Sequence, residues 1–260
     1  MPTVALSQAP EALTLYYTRA RAENPRYPPL VLVHGAGGSH LSWPPQLRRL
    51  PRADVIAPDL PGHGRSEGQG RASVRAYAED VLALLDALAL PRAVIVGHSM
   101  GGAIAQELAL RAPQRVAGLV LLGTGSKLPV APQLLPALLE APEPTVAQLM
   151  DWAWSVQTPD ALKQQGAQLM LALPSQVLHD DFAACSVFDA RGDVTRIAAP
   201  TLVIGASDDR MVPLKFSRTL AESLPQAELV VLEGAGHMFP LERPQELADV
   251  VAEWLERQSW

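Results

Sequence analysis

The chain of 260 residues contains one cysteine, Cys185. An internal disulfide is therefore excluded, and a reducing compartment, the cytoplasm, is expected. Lysine occurs only as Lys127, Lys163 and Lys215, aromatic residues make up 5%, and the formal net charge is −6. Without a basic face or clustered aromatics, no nucleic-acid partner is expected. No apolar run reaches the roughly 20 residues that a membrane-crossing helix needs, so no membrane span is expected. The first residues lack a basic segment leading into an apolar stretch, and no signal peptide is read there. Metal-ligand spacing is also missing, and no metal is expected. The nearest approach to such a cluster, His179-Asp180-Asp181, reads as a solvated helix end.

Hydrophobic residues make up 48% of the chain, enough core for one large α/β domain, with or without an inserted lobe. Strand-like runs cover Ala12–Ala20, Leu30–Val33, Asp54–Ala57, Arg92–Val96, Val116–Leu122, Thr201–Ile204 and Leu229–Leu232. Helical spacing covers Ser73–Leu90, Gly102–Arg111, Leu214–Leu224 and Pro244–Arg257. Continuous apolar strands alternating with helices predict a mostly parallel sheet covered on both faces. From about Ser126 to Val187 the rhythm breaks. Seven prolines punctuate this interval, no strand is evident, and short helices are predicted over Val146–Val156 and Ala161–Leu173. The expected organisation is a core of residues 1–125 and 188–260 with a helical lobe, 126–187, inserted between two strands.

Gly97-His98-Ser99-Met100-Gly101 lies between an apolar strand and a helix. A G-x-S-x-G sequence at such a turn holds its serine in a strained conformation with the hydroxyl projecting. Gly97 and Gly101 allow the strand and helix to pass closely. Ser99 at a helix N-terminus also meets a field that favours developing negative charge. A serine nucleophile needs a base, an acid and an oxyanion hole. His237 stands in a glycine-rich loop after Leu229–Leu232, where ligands gather in parallel sheets. His34 and His63 are expected to shape loops, His40 to lie on the surface, and His98 to point away from the nucleophile. The acid is Asp208 or Asp209, after the strand Thr201–Ile204, and residue reading alone leaves both open. The chain order is then serine, acid, histidine. Met100 N–H and Ala36 N–H, the latter in the loop His34-Gly35-Ala36-Gly37-Gly38, are the expected oxyanion donors.

Together with Asp59-Leu60-Pro61-Gly62-His63-Gly64-Arg65-Ser66, Pro200–Pro213 and Gly236-His237, these motifs resemble the α/β-hydrolase superfamily, in its cap-bearing esterase and lipase branch. The resemblance implies an eight-stranded, mostly parallel sheet, a helical cap over the active site and no cofactor. Counting four residues back from Pro213 favours Asp209, while counting three forward from Gly205 favours Asp208; Asp209 is expected. Serine at the elbow points to carboxylic esters rather than to the aspartate chemistry of dehalogenases and epoxide hydrolases. The lobe residues Leu149, Met150, Trp152, Trp154, Met170, Leu171 and Phe182 are candidates to line an apolar pocket. Trp152, Trp154 and Met238 are the expected substrate contacts. The expected partner is a small-molecule ester, and the expected state a monomer or homodimer. Gly-x-Ser-Met-Gly-Gly also resembles the elbow of C–C bond hydrolases acting on meta-cleavage products, which is the alternative reading. Perhydrolase side activity and a hydrolase-derived ligand receptor are weaker ones.

Overall fold

A computed structural model describes residues 2–6 and 13–260. Among the described residues, eight strands form one sheet. They are β1 (Thr3–Leu6), β2 (Leu13–Ala20), β3 (Leu30–Val33), β4 (Val55–Pro58), β5 (Ala93–His98), β6 (Val116–Leu122), β7 (Thr201–Ala206) and β8 (Ala227–Leu232). Their order across the sheet is β1-β2-β4-β3-β5-β6-β7-β8. β2 pairs antiparallel with both β1 and β4, and every other pair is parallel. The helices are α1 (Pro45–Arg48), α2 (Val74–Ala87), α3 (Met100–Arg111), α4 (Leu134–Glu140), α5 (Pro142–Ala153), α6 (Asp160–Leu171), α7 (Ser175–Val187), α8 (Leu214–Ser223), α9 (Phe239–Glu242) and α10 (Pro244–Arg257).

Period-two alternation divides the central strands between two cores. Val31, Val33, Ala93 and Ile95 face α2, α3 and α8, through Tyr77, Val81, Ile104 and Leu220. Leu30, Leu32, Val94 and Val96 face α1 and α10, through Leu47, Leu247, Val251 and Trp254. A strand buried on both faces has to be apolar at every position, as Leu30–Val33 is.

Between β6 and β7 the chain leaves the sheet and forms α4 to α7. These helices share a small core of their own, with Leu138, Val146, Leu149, Trp154, Leu178 and Phe182 at its centre. A bridge between Lys127 and Asp189 closes the neck of this excursion. Its prolines mark helix starts. Pro142 opens α5, and Pro159 and Pro174 immediately precede α6 and α7, where a fixed φ and a missing N–H do no harm.

Several elements differ from the sequence expectation. Thr3–Leu6 is an unforeseen edge strand, and α4 and α7 were not predicted. α5 starts earlier and ends at Ala153, so Trp154 follows the helix with extended backbone. Of the predicted first strand, Ala12 lies outside the described residues.

Candidate active site

β5 turns into α3 at Ser99, whose backbone sits at φ 53° and ψ −118°. For a residue with a side chain this conformation is strained. The crossing of strand and helix enforces it. A methyl group on Gly97 would run into the Gly101 backbone, and one on Gly101 into the Val33 carbonyl. Thr124 Oγ1 anchors the turn by donating to the Ser99 carbonyl at 2.9 Å. Met100 is the first residue of α3, so its N–H has no acceptor within the helix.

The loops after β7 and β8 bring Asp209 and His237 together. Nδ1–H of His237 donates to Asp209 Oδ2 at 2.7 Å, and both side chains are almost wholly buried. Asp209 Oδ1 accepts from Met211 N–H at 2.9 Å and Val212 N–H at 2.7 Å. Asp208 is exposed and, among the described residues, its carboxylate accepts only from Ser207 Oγ, so of the two neighbours it is Asp209 that meets the histidine. With Nδ1 engaged, Nε2 is the ring nitrogen left for chemistry. Among the described residues no hydrogen bond joins it to Ser99 Oγ; such contacts often tighten only when substrate is bound.

His98 and His34 brace the site. The His98 ring lies 4.7 Å from that of His237, and its Nε2–H donates to the His237 carbonyl at 2.9 Å. Burial, aided by the neighbouring imidazole of His237, pushes the His98 pKa down to about 3 and keeps that ring neutral. In the loop after β3, Leu60 N–H donates to His34 Nε2, and His34 Nδ1–H donates to the Gly35 carbonyl at 2.8 Å. Gly38 N–H takes the same carbonyl at 3.1 Å. Because a trans peptide points its C=O and N–H in opposite directions, holding the Gly35 oxygen aims the Ala36 N–H the other way. Burial is the main reason His34 also stays far below its ordinary pKa, with His63 adding to it.

Ser99, His98, His237 and Ala36 line one cavity of about 380 Å³. That is near the small end of the roughly 300–1,000 Å³ range of ligand sites. Its walls are mainly apolar. Met150, Trp154, Met170 and Phe182 come from the inserted helices, and Met211, Met238 and Leu241 from the core. Trp154 and Met238 are therefore at the cavity. Trp152 is not: it stays half-buried against the lobe's own core. Cys185 also lines the cavity, but burial pushes its thiol far up, so it is no rival nucleophile.

Two other expectations fail. His40 is buried rather than superficial. Its backbone N–H and its Nδ1–H both donate to Asp59 Oδ1, while Asp59 Oδ2 accepts from Arg65 N–H. Asp181 is not at a solvated helix end but fully buried. His34 and His63 do shape loops; His63 Nδ1–H donates to the Pro61 carbonyl. Glu242 also escaped sequence reading. Its carboxylate accepts from Gly236 N–H, Ser155 N–H and Thr158 Oγ1, tying the His237 loop to the end of α5.

The sequence pattern of the alpha/beta hydrolase family matches residues 30–250. The chain belongs to this family. Among its relatives, the RutD protein of Pseudomonas savastanoi pv. phaseolicola, whose name attaches it to carbamate hydrolysis, is 32% identical over 94% of this chain and 100% of its own length. A 2-hydroxymuconate semialdehyde hydrolase of Pseudomonas putida is 32% identical over 248 residues, covering 87% of this chain and 86% of its own length. A thermophilic esterase from Thermogutta terrifontis superposes with a TM-score of 0.87 at 25% identity, covering 98% of each chain. Among the described residues, no helix of this alpha/beta hydrolase is long and apolar enough to cross a membrane.

Proposed function

We propose that this alpha/beta hydrolase cleaves carboxylic esters bearing a modest apolar acyl or alkyl group, through an acyl-enzyme on Ser99. One observation carries the reading. A strained serine and a buried His–Asp pair open onto the same small apolar cavity. His237 takes the Ser99 proton as the hydroxyl attacks the ester carbonyl, and returns it to the leaving alcohol. Asp209 holds the tautomer that leaves Nε2 free to accept, and stabilises the imidazolium that results. Ala36 N–H and Met100 N–H receive the oxyanion. Water, deprotonated by the same His237, then releases the acid. The scheme needs no cofactor. The inserted helices, 126–187, act as a cap that selects the acyl group, with Trp154 and Met238 among its contacts.

A panel of nitrophenyl esters of increasing acyl length tests this, with Ser99→Ala as control. Turnover of the shorter esters by the wild type but not by the variant is expected. No turnover of any ester, together with no labelling of Ser99 by a fluorophosphonate, sinks the reading.

C–C bond hydrolysis is the second reading. It is supported by the relative named as a 2-hydroxymuconate semialdehyde hydrolase and by Arg65 at the cavity, where a substrate carboxylate could be met. The apolar walls weigh toward the ester. Faster cleavage of a dienone acid than of any ester would reverse that choice.

A further inference from the structure

Asp181 lies on α7, in the inserted lobe, yet its carboxylate is spent entirely on the core. Oδ2 accepts from Gly37 N–H at 2.8 Å and from His63 Nε2–H at 2.8 Å, and Oδ1 accepts from Tyr77 O–H at 2.5 Å. Four elements meet at this one side chain: α7, the loop after β3, the loop after β4, and α2. Asp181 and His63 are both fully buried. Both His63 nitrogens have acceptors, Asp181 and the Pro61 carbonyl, so the ring suits the doubly protonated form. A buried ion pair of this kind recovers little net stability, because desolvation consumes most of the attraction. Its value is better sought in what it holds in place.

What it holds is the loop that carries Ala36. The peptide before Ala36 is fixed by His34 through the Gly35 carbonyl, and the peptide after it is fixed by Asp181 through Gly37 N–H. With both neighbouring peptide planes anchored, the backbone angles of Ala36 have little freedom, and neither has the direction of its N–H. The lobe also closes the loop from the other side. A methyl group on Gly37 would come within 2.8 Å of Met170 Cε and 2.9 Å of Leu178 Cδ2. One anchor thus belongs to the core and the other to the lobe.

We propose that Asp181 is a positioning residue that completes the oxyanion hole from the lobe, so that a seated lobe and a correctly aimed Ala36 N–H form together. This rests on the serine-hydrolase reading above. Outright loss of an oxyanion donor typically costs about 10²–10³ in kcat. A donor that is loosened but kept should cost less, so Asp181→Ala should lower kcat roughly 10- to 100-fold, with KM changed less than about threefold. The affinity for a trifluoromethyl ketone, whose hemiketal oxyanion occupies the same hole, should fall in parallel with kcat. Asp181→Asn can turn its carbonyl toward Gly37 N–H and His63 and its amide toward the Tyr77 oxygen, and should recover most of the loss.

All rates are taken per active site titrated with a fluorophosphonate. A folded Asp181→Ala enzyme with a lower Tm but unchanged kcat and ketone affinity overturns the proposal, because the role is then only structural. If that variant does not fold, Asp181→Leu, which refills the space, takes its place under the same criteria. A measurement on the wild type needs no variant at all: the Gly37 amide should be protected from hydrogen exchange to the same degree as the amides of α7. Exchange at the rate of an open loop overturns the proposal too. Failure to label Ser99 in the wild type counts against the hydrolase reading, whereas labelled Ser99 with undiminished Asp181→Ala turnover counts against Asp181 alone.

Discussion

Replacing Asp209 by asparagine gives the sharpest test of the site, because the surrounding donors dictate how the new amide must sit. Asp209 Oδ1 is held by two backbone N–H groups, those of Met211 and Val212. Both need an acceptor, so the asparagine carbonyl has to stay on that side. Its NH₂ is then forced toward His237 Nδ1. A donor there requires Nδ1 to present its lone pair, which places the ring proton on Nε2. In the proposed mechanism that nitrogen accepts the serine proton. The base is thus present, correctly positioned and in the wrong tautomer. A tautomer inversion of this kind costs about 10⁴ in kcat, or roughly 5 kcal/mol of transition-state stabilisation.

The fold should survive, since every buried hydrogen bond of the wild type keeps a partner of suitable polarity. A Tm within a few degrees of wild type is expected, which separates lost chemistry from lost structure. Steady-state hydrolysis of a short nitrophenyl ester, and the rate of Ser99 labelling by a fluorophosphonate, are the assays. Asp208→Asn is the internal control. Its carboxylate is exposed and hydrogen-bonded to Ser207 Oγ, so its kcat should stay within about twofold of wild type. Asp209→Asn activity above a tenth of wild type would refute the reasoning, as would an equal loss in Asp208→Asn.

Other perturbations follow from the same contacts. The Ser99 backbone conformation carries strain of roughly 1–3 kcal/mol. Ser99→Gly should therefore unfold about 1 kcal/mol harder than Ser99→Ala, although both are inactive; equal urea midpoints would show the strain to be negligible. Trp154→Leu should enlarge the lobe side of the cavity and move the preferred acyl chain to greater length, read from kcat/KM across an ester series. An unchanged optimum would remove Trp154 from the specificity wall. Stability should peak near neutral pH. His34 and His98 have pKa values depressed by burial, so their contribution is full above about pH 6.5 and is lost as pH falls toward their folded values, by roughly 1 kcal/mol per pH unit for each ring. Although burial opposes it, Asp181 raises the His63 pKa, so that ring's contribution is present below about pH 6.5 and is lost as pH rises through the raised value. Thermal melts that rise as pH falls from 6 to 4 would contradict the His34 and His98 assignments, and melts that keep rising well above pH 7 would contradict that of His63.

The parts of the site that sequence reading reached are those with a local physical cause. The elbow is legible because the close crossing at Gly97, Ser99 and Gly101 is written in five consecutive residues. His237 is legible because its loop follows an apolar strand, where a parallel sheet gathers ligands. The choice between Asp208 and Asp209 is not local in that sense. It depends on which carboxylate the Met211 and Val212 N–H groups capture, and counting from Gly205 or Pro213 gives opposite answers. Trp152 was misjudged for a similar reason. The helix stops at Ala153, so Trp154 leaves the helical phase and reaches the cavity, while Trp152 stays half-buried against the lobe's own core. β1 has only four residues and too little periodicity to stand out; it exists because β2 offers an edge to pair with.

Asp181 and Glu242 mark the deeper limit. Each is an ordinary polar residue in a helical stretch, and its meaning comes from partners far away in sequence: Gly37, His63 and Tyr77 for one, Ser155, Thr158 and Gly236 for the other. The two carboxylates hold two different loops that line the same cavity. Asp181 joins the lobe to the loop bearing Ala36, and Glu242 joins the lobe to the loop bearing His237. Met238 N–H strengthens the second junction by donating to the Ala153 carbonyl at 2.9 Å. Residues that would shape the acyl pocket and residues that would aim the donor and the base are therefore linked through the same short contacts. A substitution meant only to widen the pocket from the lobe side will disturb rate as well as selectivity whenever it shifts α7 or the end of α5. Changes confined to the core wall, such as at Met211, should alter selectivity with less effect on kcat.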